Sequence, residues 1–117
     1  MNAWTIAPHD ALTAELEVIG PKAGATAGDP VESALAIYDD GKTSIGIWSC
    51  TPGAWPSAKV GMGELMHFVA GHGRITDADG THHEIRPGFV RWFPDGWRGN
   101  WEVDATVRKL YVIVATA

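Results

Sequence analysis

At 117 residues the chain is long enough for one domain and too short for two independent cores. Hydrophobic residues make up 45% and charged residues 20%, the usage of a folded globular protein rather than a disordered one. Acidic residues outnumber lysine and arginine 14 to 9 and the basic residues are scattered, which argues against a nucleic-acid surface.

Residues 1–17 show no basic segment followed by an apolar stretch, so no secretory signal is visible and a cytoplasmic location is expected. Asp10 to Leu16 suit one or two helical turns. Pro21 to Pro30 read PKAGATAGDP, small residues with little to bury, and suit a loop. The expected division is an N-terminal arm and loop over residues 1–32 and a β-barrel domain over 33–117.

Beyond Ser33, short segments rich in β-branched and aromatic residues alternate with turn signals, the pattern of an all-β sandwich or barrel. The expected strands are 34–39, 43–51, 64–70, 73–78, 81–86, 89–94, 100–103 and 107–114. Asp40-Gly41 and Asp79-Gly80 sit between strands and supply the positive φ of hairpin tips. The longest apolar run, Leu110-Tyr111-Val112-Ile113-Val114-Ala115, is far short of the roughly 20 residues of a membrane-spanning helix. Cys50 is alone, so it forms no internal disulfide and reads as a small buried hydrophobe.

ELMHFVAG from Glu64 to Gly71, GRITDADG, RPGFVRWFPDGWRGNWEV and VRKLYVI together resemble the cupin superfamily. Two pieces carry the likeness: Glu64 with six residues before the turn glycine Gly71, and the Gly-x5-Pro-x-Gly block of Gly88, Pro94 and Gly96. More narrowly, with Gly46-Ile47-Trp48 and Thr51-Pro52-Gly53, the chain resembles the small cupins grouped with ureidoglycine aminohydrolase. The resemblance implies a single-domain jelly-roll β-barrel, and in that enzyme a manganese site and amide hydrolysis.

The ligand positions do not carry over. Metal-binding cupins place two histidines, as His-x-His, three or four residues before the glutamate. Here those positions are Ser57 and Lys59, or Ala58 and Val60. The second motif's histidine position is Gly99, leaving Glu64 alone. One carboxylate does not hold a transition metal, so no metal cofactor is expected. Alternation puts Glu64, Met66, Phe68 and Ala70 on one face, and Leu65, His67 and Val69 on the other. A buried Glu64 without a metal needs a counter-charge, and Lys59 is the candidate partner; the alternative is a solvated Glu64 at the barrel mouth.

Trp92, Trp97 and Trp101 cluster in the last third and, with Met66 and Arg91, are candidates to line a ligand cavity, whereas Trp48 reads as core. Arg98 is a further cavity candidate, and Arg108 and Lys109 read as structural. His9, His67, His72, His82 and His83 read as surface or turn residues. Asp77-x-Asp79-Gly80 resembles part of a calcium loop but lacks its other ligands, so a plain hairpin is expected. Three functions compete: a metal-free module binding a small organic molecule, a cupin enzyme using Glu64 as acid or base with Lys59 tuning it, and a non-catalytic dimeric interaction module. Cupin barrels commonly pair, so a homodimer is the expected assembly.

Overall fold

A computed structural model of the chain describes residue 3 and residues 10–116. His9 and the other residues at positions 1, 2 and 4–8 of the expected arm lie outside the described residues. In chain order the elements are a single helical turn, α1 (Asp10–Thr13), then β1 (Glu17–Pro21), β2 (Ala27–Gly28), β3 (Val31–Asp39), β4 (Thr43–Cys50) and β5 (Gly53–Ala58). They continue with β6 (Met62–Asp77), β7 (His82–Ile85), β8 (Val90–Phe93) and β9 (Arg98–Ala115). No helix among the described residues is long and apolar enough to cross a membrane.

All strand pairs are antiparallel, and the connected order runs β1-β3-β4-β9-β5-β2, with β6 joining β7, β8 and β9. The two longest strands, β6 and β9, pair along nearly their whole length, from Met62 opposite Ala115 to Asp77 opposite Gly99. The far half of β9 also pairs with β4, and its near half with β5, so this strand ties both ends of the barrel together.

Each of these long strands reads in the sequence as two, because Gly71 to Gly73 and the polar stretch at Asp104 look like turns. The ladder instead continues through them with register shifts between Phe68 and Gly73. Gly71 makes this possible. Its φ is +95°, and a Cβ there would stand 2.3 Å from the Thr106 carbonyl oxygen, so the crossing strand approaches where no side chain fits. His72 consequently sits within β6, not in a turn.

Two strands, β1 and β2, fall in the stretch read as arm and loop. β1 pairs with β3 through a shift between Val18 and Gly20, and the two-residue β2 pairs with Gly53 and Ala54 of β5. β5 is also absent from the sequence reading, because Pro56 argues against a strand. Asp40-Gly41 and Asp79-Gly80 are turn tips as expected: Asp40 and Asp79 each accept backbone N–H bonds from the residues that follow.

The core follows from period-two alternation. On β6, Glu64, Met66, Phe68 and Ile75 are buried while Leu65, His67 and Arg74 are exposed. Met66, Phe68 and Ile75 meet Cys50, Trp55, Ile85, Phe93, Trp101, Val103 and Val107 in one cluster. Trp55 and Trp101 stack with ring centroids 5.6 Å apart, and Phe68 packs 5.7 Å from Trp101, so aromatic faces fill the barrel at this level. Cys50 is fully buried, and burial pushes its thiol up to about 11.

Candidate functional site

Beside this aromatic cluster the barrel keeps a cavity of about 270 Å³, bounded by Trp48, Trp55 and Trp101 and by the side chains of Lys59, Glu64 and Lys109. Two strands and a loop supply the charged groups. Glu64 faces inward from β6, between Phe93 of β8 and Ile113 of β9. Lys109 faces inward from β9, opposite Trp48 of β4. Lys59 lies just past β5, where its backbone N–H donates to the Trp97 carbonyl and its carbonyl accepts from Gly96 N–H. Those two bonds place its side chain over the cavity rather than in solvent.

The carboxylate of Glu64 is held at both ends. Lys59 Nζ is 2.8 Å from Oε1 and Lys109 Nζ is 2.8 Å from Oε2. All three residues are buried, at 8%, 3% and 6% exposure for Lys59, Glu64 and Lys109. The expected Lys59 partnership is therefore present, and a second lysine completes it. Lys109 also lies 4.3 Å over the Trp48 ring and 5.3 Å over the Trp101 ring, and donates to Met66 Sδ at 3.6 Å. Burial alone would raise the Glu64 carboxyl, but attraction to Lys109 and Lys59 outweighs it and holds the group below its ordinary value. Burial drives the Lys109 ammonium down, assisted by Lys59 and opposed by Glu64.

At the rim, Lys22 pairs with Glu32 at 3.6 Å, and Glu32 accepts from Trp48 Nε1 at 2.9 Å. Buried Trp101 Nε1 has no hydrogen-bond partner among the described residues. Such an orphan donor is costly unless something accepts from it.

The four-residue motif spacing is the one that faces inward: Ser57 and Lys59 line the cavity, whereas Val60 is exposed. Gly99 lies opposite Ser57, but a Cβ there would stand 2.3 Å from the Thr76 carbonyl oxygen and 2.5 Å from the Trp97 ring. A ligating side chain does not fit. Nor does a divalent cation suit the donor set, because ammonium groups occupy both oxygens of the single carboxylate and would repel it. Among the described residues no three His, Cys, Asp or Glu side chains converge for a metal.

Other candidates sit elsewhere. Trp92 is 50% exposed, pairs with outward-facing Leu65 and covers Gly63 on the outer surface, so it does not line the cavity. Arg91 forks onto Asp77 with two 2.8 Å bonds, and Trp97 Nε1 donates to the same carboxylate at 2.9 Å. His83 contacts Asp77 Oδ2 at 3.0 Å. Arg91 and Trp97 thus brace the hairpin at Asp77 instead of entering the cavity. Arg98 is exposed. Met66 is buried beneath Lys109, supporting it. Arg108 is structural as expected, donating to the carbonyls of Ala11 and Ala14 and so fixing α1.

The residues that sequence reasoning missed are Lys109, Trp55 and, as a cavity wall, Trp48. A signal for Lys109 existed: it alternates with Val107, Tyr111 and Ile113 on one face of β9. A wider groove of about 850 Å³ runs past His72, Arg74, Glu84, Glu102 and Asp104. Those side chains are exposed and pair with one another, as His72 does with Asp104 at 2.7 Å and Arg74 with Glu102 at 3.2 Å, so the cavity with the buried Lys59, Glu64 and Lys109 is the stronger site.

The fold and the motif positions around Glu64 define a cupin jelly-roll barrel. A family model described as the EutQ-like cupin domain matches residues 38–111, and the chain belongs to that family. Among solved structures it is similar to a DUF861-family protein of unknown function from Pseudomonas syringae pv. tomato, at 23% identity and a TM-score of 0.79. That match covers 90% of this chain and 46% of the other, so the chain spans about half of that protein's length. It is also similar to a putative ethanolamine utilization protein Q from Salmonella typhimurium, at 20% identity and a TM-score of 0.65, covering 84% and 79% of the two chains. The EutQ protein of Clostridium difficile matches at 16% identity and a TM-score of 0.63, over 74% and 69%. No curated protein matches the chain.

Proposed function

We propose that the protein is a metal-free cupin that binds a small organic molecule in the cavity walled by Trp48, Trp55 and Trp101. The observation that carries this reading is the double ion pair on Glu64: two ammoniums stand where metal-binding cupins direct their glutamate toward an ion. With its charge already balanced, Glu64 organises a polar floor beneath an aromatic wall, the combination of apolar lining and few placed polar groups that small-molecule sites use.

Amide hydrolysis of the ureidoglycine aminohydrolase kind is the finer alternative, and the site supports it less well. A general base needs an available oxygen and an affinity for protons near the working pH. Glu64 has both oxygens engaged and a carboxyl held below its ordinary value.

Elemental analysis of the purified protein, joined to a calorimetric screen of small carboxylic acids, amides and alcohols, tests the reading. It predicts no stoichiometric manganese, iron, zinc or nickel, and a ligand whose binding is weakened by Trp48→Ala. One equivalent of transition metal surviving dialysis, or a complete absence of binding across the screen, would overturn it.

A further inference from the structure

The cavity's charges do not cancel. Its walls carry three lysines, Lys22, Lys59 and Lys109, against two glutamates, Glu32 and Glu64. Lys22 and Glu32 satisfy each other at the rim. In the buried interior one carboxylate faces two lysine amines, each 2.8 Å from it, so with both lysines protonated one positive charge is left over, a state that the burial of Lys109 opposes and a bound anion would favour. Uncompensated charge in a low-dielectric interior is costly, and an anion placed beside it is correspondingly favoured. The remaining neighbours of Lys109, the Met66 sulfur and the faces of Trp48 and Trp101, carry no formal charge.

The volume, about 270 Å³, lies at the small end of ligand pockets and therefore suits a small molecule.

We infer that the ligand is a small monoanion, a carboxylate borne on a flat apolar body, whose charge balances the Lys59 and Lys109 pair while its body lies against the tryptophan rings. The inference rests on the ligand-binding reading above and narrows it to a charge class. Recognition of this kind discriminates through charge-assisted hydrogen bonds, which an uncharged isostere of equal shape forms less strongly.

Benzoate and benzamide, matched in size and differing in charge, separate the possibilities by isothermal titration calorimetry on the full chain. Benzoate is expected to bind at least about tenfold more tightly than benzamide, a factor worth about 1.4 kcal/mol. Lys109→Met, which keeps the Lys59–Glu64 pair and removes the extra charge, should erase that preference; Lys59→Met serves the same purpose if the first variant fails to fold. Equal binding of both probes to the natural protein overturns the anion inference and leaves the ligand-binding reading in place. If neither probe, nor acetate or pyruvate, binds at millimolar concentration, both fall.

Discussion

The ammonium of Lys109 lies 2.8 Å from Glu64 Oε2 while also resting 4.3 Å above the ring of Trp48, so a single side chain joins the charged floor of the cavity to its aromatic wall. Opposite it, Lys59 takes the other oxygen. Buried ion pairs often contribute little net stability, yet removing one member leaves the rest uncompensated, which is expensive. Replacing Glu64 by Gln puts two ammoniums together with no carboxylate between them. We expect a loss of about 3–5 kcal/mol in urea unfolding. Adding Lys109→Met to Glu64→Gln should recover part of it, with a coupling of about 1–3 kcal/mol. Strictly additive losses would show that the three groups do not act as a unit.

Stability should also depend on pH in a defined direction. Glu64 is held below its ordinary value of 4.5, so its contribution is fully present above that value and is lost as pH falls through the lower value of the folded state. Lys109 is also held below its ordinary value, so the unfolded chain binds more protons there too, and stability gains with rising pH on the alkaline side. Asp77 adds to the acid limb, because hydrogen bonds from Arg91 hold its carboxyl well below the usual range despite partial burial, with Trp97 and His83 assisting. Urea midpoints measured from about pH 3 to about pH 7 should rise, and the rise should be shallower in Glu64→Gln. An unchanged slope in that variant would remove Glu64 from the account.

Two glycines separate backbone strain from steric contact. Gly71 and Gly80 both have positive φ, +95° and +90°, but a Cβ at Gly80 meets nothing within 4 Å whereas one at Gly71 collides with Thr106 and Val107. Gly80→Ala should therefore cost about 1 kcal/mol, the conformational strain alone. Gly71→Ala adds displacement of the strand that crosses it, and should cost at least about 2 kcal/mol more. Equal thermal midpoints for the two variants would contradict the close approach of β9 to β6 at this point.

Cys50 should be inert in the folded protein. Thiol chemistry needs the thiolate, and burial raises this group to about 11 within a cluster that excludes solvent. Labelling by a thiol-reactive dye at neutral pH should follow the unfolding equilibrium and speed up in urea. Rapid stoichiometric labelling of the native protein would falsify the packing described around Trp55 and Val107.

Much of this architecture is legible in the sequence where a feature depends on near neighbours. The Asp-Gly turns follow from local backbone preference, and the inward set of Glu64, Met66 and Phe68 follows from alternation within one strand. The Lys59 partnership is legible for a different reason: motif spacing puts a lysine where a ligand belongs, and a buried carboxylate demands a counter-charge. Lys109 is harder, since its meeting with Glu64 depends on pairing between β6 and β9. The tryptophans mislead because closeness in sequence is not closeness in space. Trp92 pairs with Leu65 on the outer face, whereas Trp101 meets Trp48 and Trp55 from two other strands. β1 and β2 leave little trace, as one is mostly exposed and the other is only Ala27 and Gly28.

The ladder made by β9 has a consequence for the order of events during synthesis. This strand, Arg98–Ala115, is the shared partner of β4, β5 and β6, all of which precede it in the chain. A ribosome therefore exposes the eight earlier strands, β4, β5 and β6 among them, before the element that joins those three exists outside the exit tunnel. Until β9 emerges, Lys109 is absent, Glu64 lacks half of its charge compensation, and the edges of β4, β5 and β6 that it will occupy remain open. Pairings of such large sequence separation form slowly, and open strand edges invite association. The barrel's vulnerable interval thus lasts until β9 emerges, and closure waits for that strand rather than proceeding hairpin by hairpin.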